Sequence, residues 1–350
     1  MDPRAVGEDR RWTAIADDMF APAVAACAER SIFLFMRSPR GELLHRRRDV
    51  DSWGEPRSLG LPLARVPGSQ VPIPVEWPIA ACSTGPEEVH LLARGAEGEL
   101  LHARLRGREW DGFECVGVPA GLDGVAMGLA SAPTACSRSP GRMDVFAVGA
   151  AGALLHSTWD GEGFSEFESL GGIDLPGTTP APLSGPVSAC NCGDRRMGVF
   201  ARGPAGELLL KWWNGSGWSP FASLGSPQEP DGLYPAVRRA VPLSSAPVAC
   251  GGGTTRLDVF ARGPRGDLLH SFWDGKEWNT FTSLGMPRSP ATGARIPFTG
   301  ISLACAWEKY RLHVLARAAD GKLYAASSNG SWGPARSSAP RVADRLMNEI

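Results

Sequence analysis

Six tandem copies of one strand-rich segment, glycine turns of the hairpin type inside each copy, and a composition that disfavours long helices together predict an all-β chain. The expected architecture is a six-bladed β-propeller with four antiparallel strands per blade.

The copies are the strongest of these observations. Val259-Phe260-Ala261-Arg262-Gly263 recurs as Val199-Phe200-Ala201-Arg202-Gly203. Looser versions begin at Leu34, Leu91, Val145 and Val314. Each is preceded by a strand carrying a cysteine, at Cys27, Cys82, Cys136, Cys190, Cys250 and Cys305, spaced by 54 to 60 residues. Each is followed by a glycine turn and a Leu-Leu or Leu-Tyr strand. The fifth copy shows the period most clearly, with expected strands from Pro247 to Cys250, Leu257 to Arg262, Leu268 to Trp273 and Trp278 to Leu284. The repeats fall at about 22–60, 77–117, 131–172, 184–225, 245–285 and 299–338, in a single propeller domain spanning residues 1–350.

The turns support this reading. Asp160-Gly161, Asn214-Gly215 and Asp274-Gly275 adopt positive φ cheaply and close tight hairpins between the third and fourth strands. An aromatic opens the fourth strand in every copy, at Trp53, Trp110, Phe164, Trp218, Trp278 and Trp332, and reads as packing between blades. Propellers close by mixing strands from both termini. Trp12-Thr13-Ala14-Ile15 reads as a fourth strand without its first three, so residues 11–16 are expected to complete the last blade. Trp332, with Ala335, begins the competing candidate. Long Pro-rich connections, such as Gly60 to Trp77 and Gly225 to Ser244, join successive copies, and loops of this length are often functional.

Composition narrows the partners. The 36 Lys and Arg balance 37 Asp and Glu, so no polybasic field points to nucleic acid or anionic membrane. Glycine (43) and proline (30) are abundant, and Trp (12) and Phe (13) dominate the aromatics, as many short strands joined by turns require. Residues Met1 to Asp18 are charged throughout, and no later stretch approaches the roughly 18 apolar residues of a membrane span. A cytoplasmic chain without membrane insertion is expected.

Segments such as Asp258-Val259-Phe260-Ala261-Arg262-Gly263, Leu268-Leu269-His270-Ser271-Phe272-Trp273-Asp274-Gly275 and Phe281-Thr282-Ser283-Leu284-Gly285 resemble the repeats of bacterial PLL-like propeller lectins. The resemblance covers roughly residues 20–340. It implies fucose or a related sugar held in pockets between adjacent blades. The chain has six copies, as in fungal fucose lectins, where the well-known PLL-like members resemble seven-bladed rings. The aromatic ending the third strand remains only as Trp159, Trp213 and Trp273, with Arg48, Leu105 and Ser328 elsewhere.

The candidate ligand-binding residues are accordingly Trp159, Trp213 and Trp273 as stacking rings, with His156, His270, Arg202 and Arg262 beside them. The third-strand histidine (His45, His102, His156, His270) is either a donor to a ligand hydroxyl or a polar group satisfied by neighbouring backbone. The second-strand arginine (Arg37, Arg94, Arg202, Arg262, Arg317, replaced by Val148) either meets a ligand or pairs with an acid such as Asp144 or Asp258. The cysteines follow the repeat and contain no Cys-x-x-Cys, so they read as free, buried small hydrophobes with no metal and no cofactor. No Gly-x-Ser-x-Gly, His-Glu-x-x-His or phosphate-cradling loop is present. The absence of these motifs does not exclude an enzyme; the function that the resemblance implies is a carbohydrate-binding propeller whose partner is a glycan or small molecule. The alternative is an intracellular enzyme or scaffold with its site at the channel mouth. For that reading the segment Gln228 to Arg239, with Glu229, Asp231, Tyr234 and Arg238, is the place to look.

Overall fold

The computed structural model describes residues 13–16, 24–28, 31–49, 52–120, 125–175, 177, 179–193, 196–230, 238–251, 256–307 and 311–328; among them there is no helix. Accordingly, no helix is long and apolar enough to cross a membrane among these residues. Two compact units are present, one of Met19–Ile173 with Pro180–Asn191, the other of Met1–Asp18, Asp174–Thr179 and Cys192–Ile350.

The first of these units holds three sheets, one per copy, antiparallel throughout the repeat strands. Val24–Ala28, Ser31–Arg37 and Leu43–Asp49 form the first, with the short strands Ser52–Trp53 and Arg57–Ser58 both paired to Leu43–Asp49. The second runs Ala80–Gly85, Glu88–Arg94, Leu100–Arg106 and Phe113–Gly117. The Pro-rich connection between copies adds two strands to its outer edge: Leu63–Arg65 lies parallel to Phe113–Gly117, and Ile73–Pro74 pairs with Leu63–Arg65. The third is Thr134–Ser139, Arg142–Val148, Leu154–Trp159 and Glu168–Ser169. Ser188–Asn191 also belongs to this unit.

In the other unit, Met197–Arg202, Leu208–Trp213 and Ala222–Gly225 pair in order, and Gln228–Pro230 forms a ribbon with Arg238–Ala240. Val248–Gly251, Leu257–Arg262, Leu268–Trp273 and Thr282–Gly285 make the fifth sheet. The sixth combines Phe298–Trp307, Arg311–Ala318 and Leu323–Ser328 with the N-terminal strand Thr13–Ala16, which pairs antiparallel with Leu323–Ser328. Trp12, Trp332 and Ala335 lie outside the described residues.

The second strands form the core. Val145, Phe146 and Ala147 are buried, as are Val199 to Ala201 and Val259 to Ala261. A strand covered on both faces needs apolar residues at successive positions rather than alternate ones, which is why the recurring Val-Phe-Ala run does not alternate. At the turn after the third strand, Asp160 Oδ1 accepts from the N–H groups of Glu162 (2.9 Å) and Gly163 (3.0 Å), and Asn214 and Asp274 do the same in their copies. Gly161, at φ 110°, takes the left-handed region that this turn requires. The hairpin returns the fourth-strand aromatic onto the third-strand one through the bridges Trp159↔Phe164, Trp213↔Trp218 and Trp273↔Trp278.

Candidate functional site

Three of the second-strand arginines, Arg94, Arg202 and Arg262, act on backbone. Arg202 Nε donates to the carbonyl of Leu243 (2.6 Å), and Arg262 donates to the carbonyls of Phe298, Thr299 and Ser244. Arg94 donates to the carbonyl of Leu129 and pairs with Glu76. In each case the strapped residue also donates its own N–H back to the glycine of the following turn: Leu243 to Gly206, Phe298 to Gly266 and Leu129 to Gly98, each at 2.8 Å. The guanidinium thus ties the incoming connection to the sheet before it. In the third copy Val148 takes the arginine's place. Leu183 still bonds Gly152, but the guanidinium is missing, and a cavity of about 660 Å³ opens there. Its walls are residues 148–152 and 182–186 with Pro78 and residues 130–132, and they carry no titratable side chain. The hydroxyls of Ser131 and Ser184 in this lining have no base beside them among the lining residues.

The third-strand histidines sit opposite a second-strand residue, Phe146↔His156 and Phe260↔His270, so the acid two positions earlier lies diagonally across on the same face. His156 Nε2 is 2.9 Å from Asp144 Oδ1, its Nδ1 is 2.7 Å from Glu168 Oε1, and its ring lies 4.7 Å from that of Phe146. His270 Nε2 is 2.7 Å from Asp258 Oδ1, and Arg256 grips the same carboxylate with two bonds of 2.8 Å. Burial lowers the pKa of His270, and Asp258 opposes that shift. Asp144 and Asp258 therefore serve their own sheets.

Of the three stacking candidates, Trp159 and Trp273 are buried and Trp213 is half-buried, its ring 5.5 Å from Trp218. Trp159 borders a charged cleft, between the second and third sheets, of about 470 Å³. His102, Arg104 and Arg106 alternate along Leu100–Arg106 and so share one face. Glu114 is the register partner of His102, and Arg65 lies beside Glu114 in the parallel strand from the connection. Arg65 pairs with Glu114 (2.8 Å), while Arg104 and Arg106 each lie 3.3 Å from Asp111. The opposite wall is Trp159 and Phe164, with the Arg104 guanidinium 5.6 Å from the Trp159 ring. Three guanidiniums and the carboxylates of Asp111, Glu114 and Glu162 share the lining, so it offers donors and acceptors without a net field.

The sequence pattern did not single out Arg65, Arg104, Arg106, Asp111 and Glu114. The available signal was the column of Arg104, which reads Arg47, Thr158, Trp212, Phe272 and Ser327 in the other copies. At the junction before this one, Arg47 closes onto Glu87 with bonds of 2.7 and 2.8 Å, and Leu105 stands where Trp159 does here. In the fourth copy, Trp212 and Ala222 stand in the columns of Arg104 and Glu114. Glu229 of the long connection pairs with Arg265 (2.7 Å), while Asp231 and Tyr234 lie outside the described residues. Among the described residues no three His, Cys, Asp or Glu side chains converge on a metal site.

With this geometry in place, comparison with known proteins gives the class. A family model described as a repeat of unknown function, DUF346, matches residues 257–286. No curated protein matches by sequence. Among solved structures, the chain is similar to the fungal lectin of Aleuria aurantia, described as a six-bladed β-propeller, at 15% identity and a TM-score of 0.58, covering 89% of this chain and 93% of that one. AofleA from Arthrobotrys oligospora gives 15% and 0.58, with 91% and 86% covered. The BP39L lectin from Burkholderia pseudomallei gives 19% and 0.51, with 89% and 97% covered. At these identities the likeness establishes the fold, and the chain is a β-propeller.

Proposed function

We propose that the chain is a carbohydrate-binding β-propeller of six blades that holds a saccharide in the cleft between its second and third sheets. The observation that carries this reading is the pairing of guanidiniums and carboxylates opposite the Trp159 and Phe164 rings. A sugar hydroxyl both donates and accepts, so paired Arg and Asp or Glu groups meet vicinal hydroxyls, while the rings cover the C–H face. A volume of about 470 Å³ lies within the range of small-ligand sites. Balanced charge suits a neutral ligand. The Aleuria aurantia lectin is described in complex with alpha-methyl-L-fucoside, which makes a fucoside the first ligand to try.

Six copies, each with its own sheet, and the N-terminal strand on the last of them support the blade count. The quoted fifth-copy motifs support assignment to the PLL-like type. Trp213, with its half-buried ring, is proposed as a second stacking ring; at His156, held by Asp144 and Glu168, and at Trp273, with His270 and the strapping arginines Arg202 and Arg262, the contribution is framework first. Titration calorimetry with alpha-methyl-L-fucoside and a glycan array test the function. Saturable binding lost in Arg104→Ala is expected. A chain that binds no glycan on the array refutes the reading.

A further inference from the structure

The cleft wall contains a chain of hydrogen bonds whose direction is fixed from one end. Thr84, His90 and His102 lie on three neighbouring strands of the second sheet, and all three are buried. Thr84 Oγ1 donates to Glu88 Oε2 (3.1 Å). A hydroxyl has one hydrogen, so toward His90 Nε2, at 3.0 Å, the same oxygen can only accept. Glu88 Oε1 also faces that nitrogen, at 3.8 Å, and it too is an acceptor. His90 Nε2 therefore carries the proton.

Burial pushes the pKa of His90 down to about 4 and that of His102 to about 3, so at neutral pH each ring has a single N–H. With Nε2 protonated, His90 Nδ1 is bare and accepts from His102 Nε2 at 2.8 Å. The two planes differ by 10° with centroids 5.1 Å apart, the geometry of an in-plane bond. His102 Nδ1 is then bare as well. In the third copy the corresponding nitrogen of His156 is met by Glu168, the register equivalent of Glu114. Here Arg65 draws Glu114 away, and among the described residues nothing is hydrogen-bonded to His102 Nδ1. His102 lines the cleft.

We propose that Glu88, Thr84 and His90 are positioning residues that lock His102 as its Nε2–H tautomer, so that Nδ1 is a fixed acceptor selecting a ligand hydroxyl that donates to it. The hydroxyl rests on the carbohydrate reading above; the tautomer does not.

The test is long-range ¹H–¹⁵N correlation of the imidazole nitrogens in the full chain at pH 7, with His102 assigned by the signals lost in His102→Gln. A protonated Nε2 and a bare Nδ1 are expected, with Nδ1 moving toward the protonated range as alpha-methyl-L-fucoside is added. Glu88 is not part of the cleft lining, so Glu88→Ala acts through the chain. It frees the Thr84 hydroxyl to donate to His90, raises the Nδ1–H population of His102, and weakens fucoside binding about fivefold, the value of one hydrogen bond. A protonated Nδ1 in the unsubstituted protein overturns the proposal, as does a Glu88→Ala protein with unchanged tautomer and affinity. The expected tautomer with an Nδ1 resonance that no glycan moves refutes the acceptor role while leaving the locked chain standing.

Discussion

Replacing Trp159 separates a buried wall from an exposed stacking platform. Its side chain is 7% exposed and touches His90, His102 and Phe164, with centroid distances of 5.6, 4.9 and 4.9 Å. A buried indole removes roughly 150–250 Å² from water. At about 25 cal/mol per Å² that is about 4–6 kcal/mol, and residual burial in the unfolded chain reduces it by roughly 10–40%. Trp159→Ala should therefore cost about 3–5 kcal/mol, the range of large-to-small core changes. Trp159→Phe keeps most of the apolar contact and should cost about 1–2 kcal/mol. Both are read by equilibrium denaturant unfolding followed by far-ultraviolet circular dichroism, and fucoside affinity is then measured well below the midpoint. Loss of binding in both variants, with this order of stabilities, is expected. A cost below about 1 kcal/mol for Trp159→Ala, within the range of ordinary surface changes, would refute the reasoning, because the ring would then be an exposed platform.

Further outcomes follow from other parts of the structure. Val148→Arg should fill the 660 Å³ cavity, donate to the carbonyl of Leu183 as its counterparts donate to Leu129 and Leu243, and raise stability by about 1 kcal/mol; a lower thermal midpoint contradicts the strap assignment. Asp258→Ala leaves the Arg256 charge and His270 without their shared partner, so about 3–5 kcal/mol of destabilisation is expected in the same unfolding assay. Burial holds His45 and His90 at about 4 and His102 at about 3, below the ordinary 6.5. Their stabilising contribution is complete above pH 6.5 and is lost as pH falls through the folded-state values, because the unfolded chain binds protons first. The thermal midpoint should drop from pH 6.5 toward pH 3, and His45→Phe, which also removes a buried nitrogen without a partner between Phe33 and Phe35, should flatten that drop. Burial raises the Cys82 thiol to about 12 and Cys250 well above its usual value, so iodoacetamide at pH 8 should leave both unmodified by mass spectrometry until the chain unfolds.

Much of the fold was readable because each blade element has its own local chemistry. The Asp-Gly and Asn-Gly turns fix hairpins through three or four consecutive residues, and the unbroken Val-Phe-Ala run marks a strand covered on both faces. The strands Leu63–Arg65 and Ile73–Pro74 were not readable. At two or three residues they have no periodicity to display, and flanking prolines mark the segment as a loop. The arginine strap was hidden for another reason. Arg202 meets a carbonyl 41 residues away, and a carbonyl has no residue type, so a search for an acidic partner could not find it.

The charged cleft was hidden by the repeat itself. Comparing copies emphasises what recurs, and what recurs here is framework: the strap, the hairpin aromatic and the small first-strand cysteine are needed wherever one sheet packs on the next. Function at one junction must instead come from residues that break the pattern. Arg104, Arg106, Asp111 and Glu114 do so within the second copy, Arg65 does so from the connection before it, and Trp159 comes from the copy that follows. Because a junction takes one wall from each of two copies, searching within single copies separates Trp159 from the charges it faces. Reading the third-strand column of one copy against the last third-strand residue of the next places Arg104 opposite Trp159 directly, and at the preceding junction it places Arg47 opposite Leu105, where the Arg47 guanidinium has turned to Glu87. The same arginine column thus forms a closed ion pair where its neighbour is aliphatic and lines an open cleft where its neighbour is an indole. Exchanging the two walls by Leu105→Trp tests whether the ring opens the junction: capture of a second fucoside equivalent in calorimetry is expected only if Arg47 is also released by Glu87→Ala.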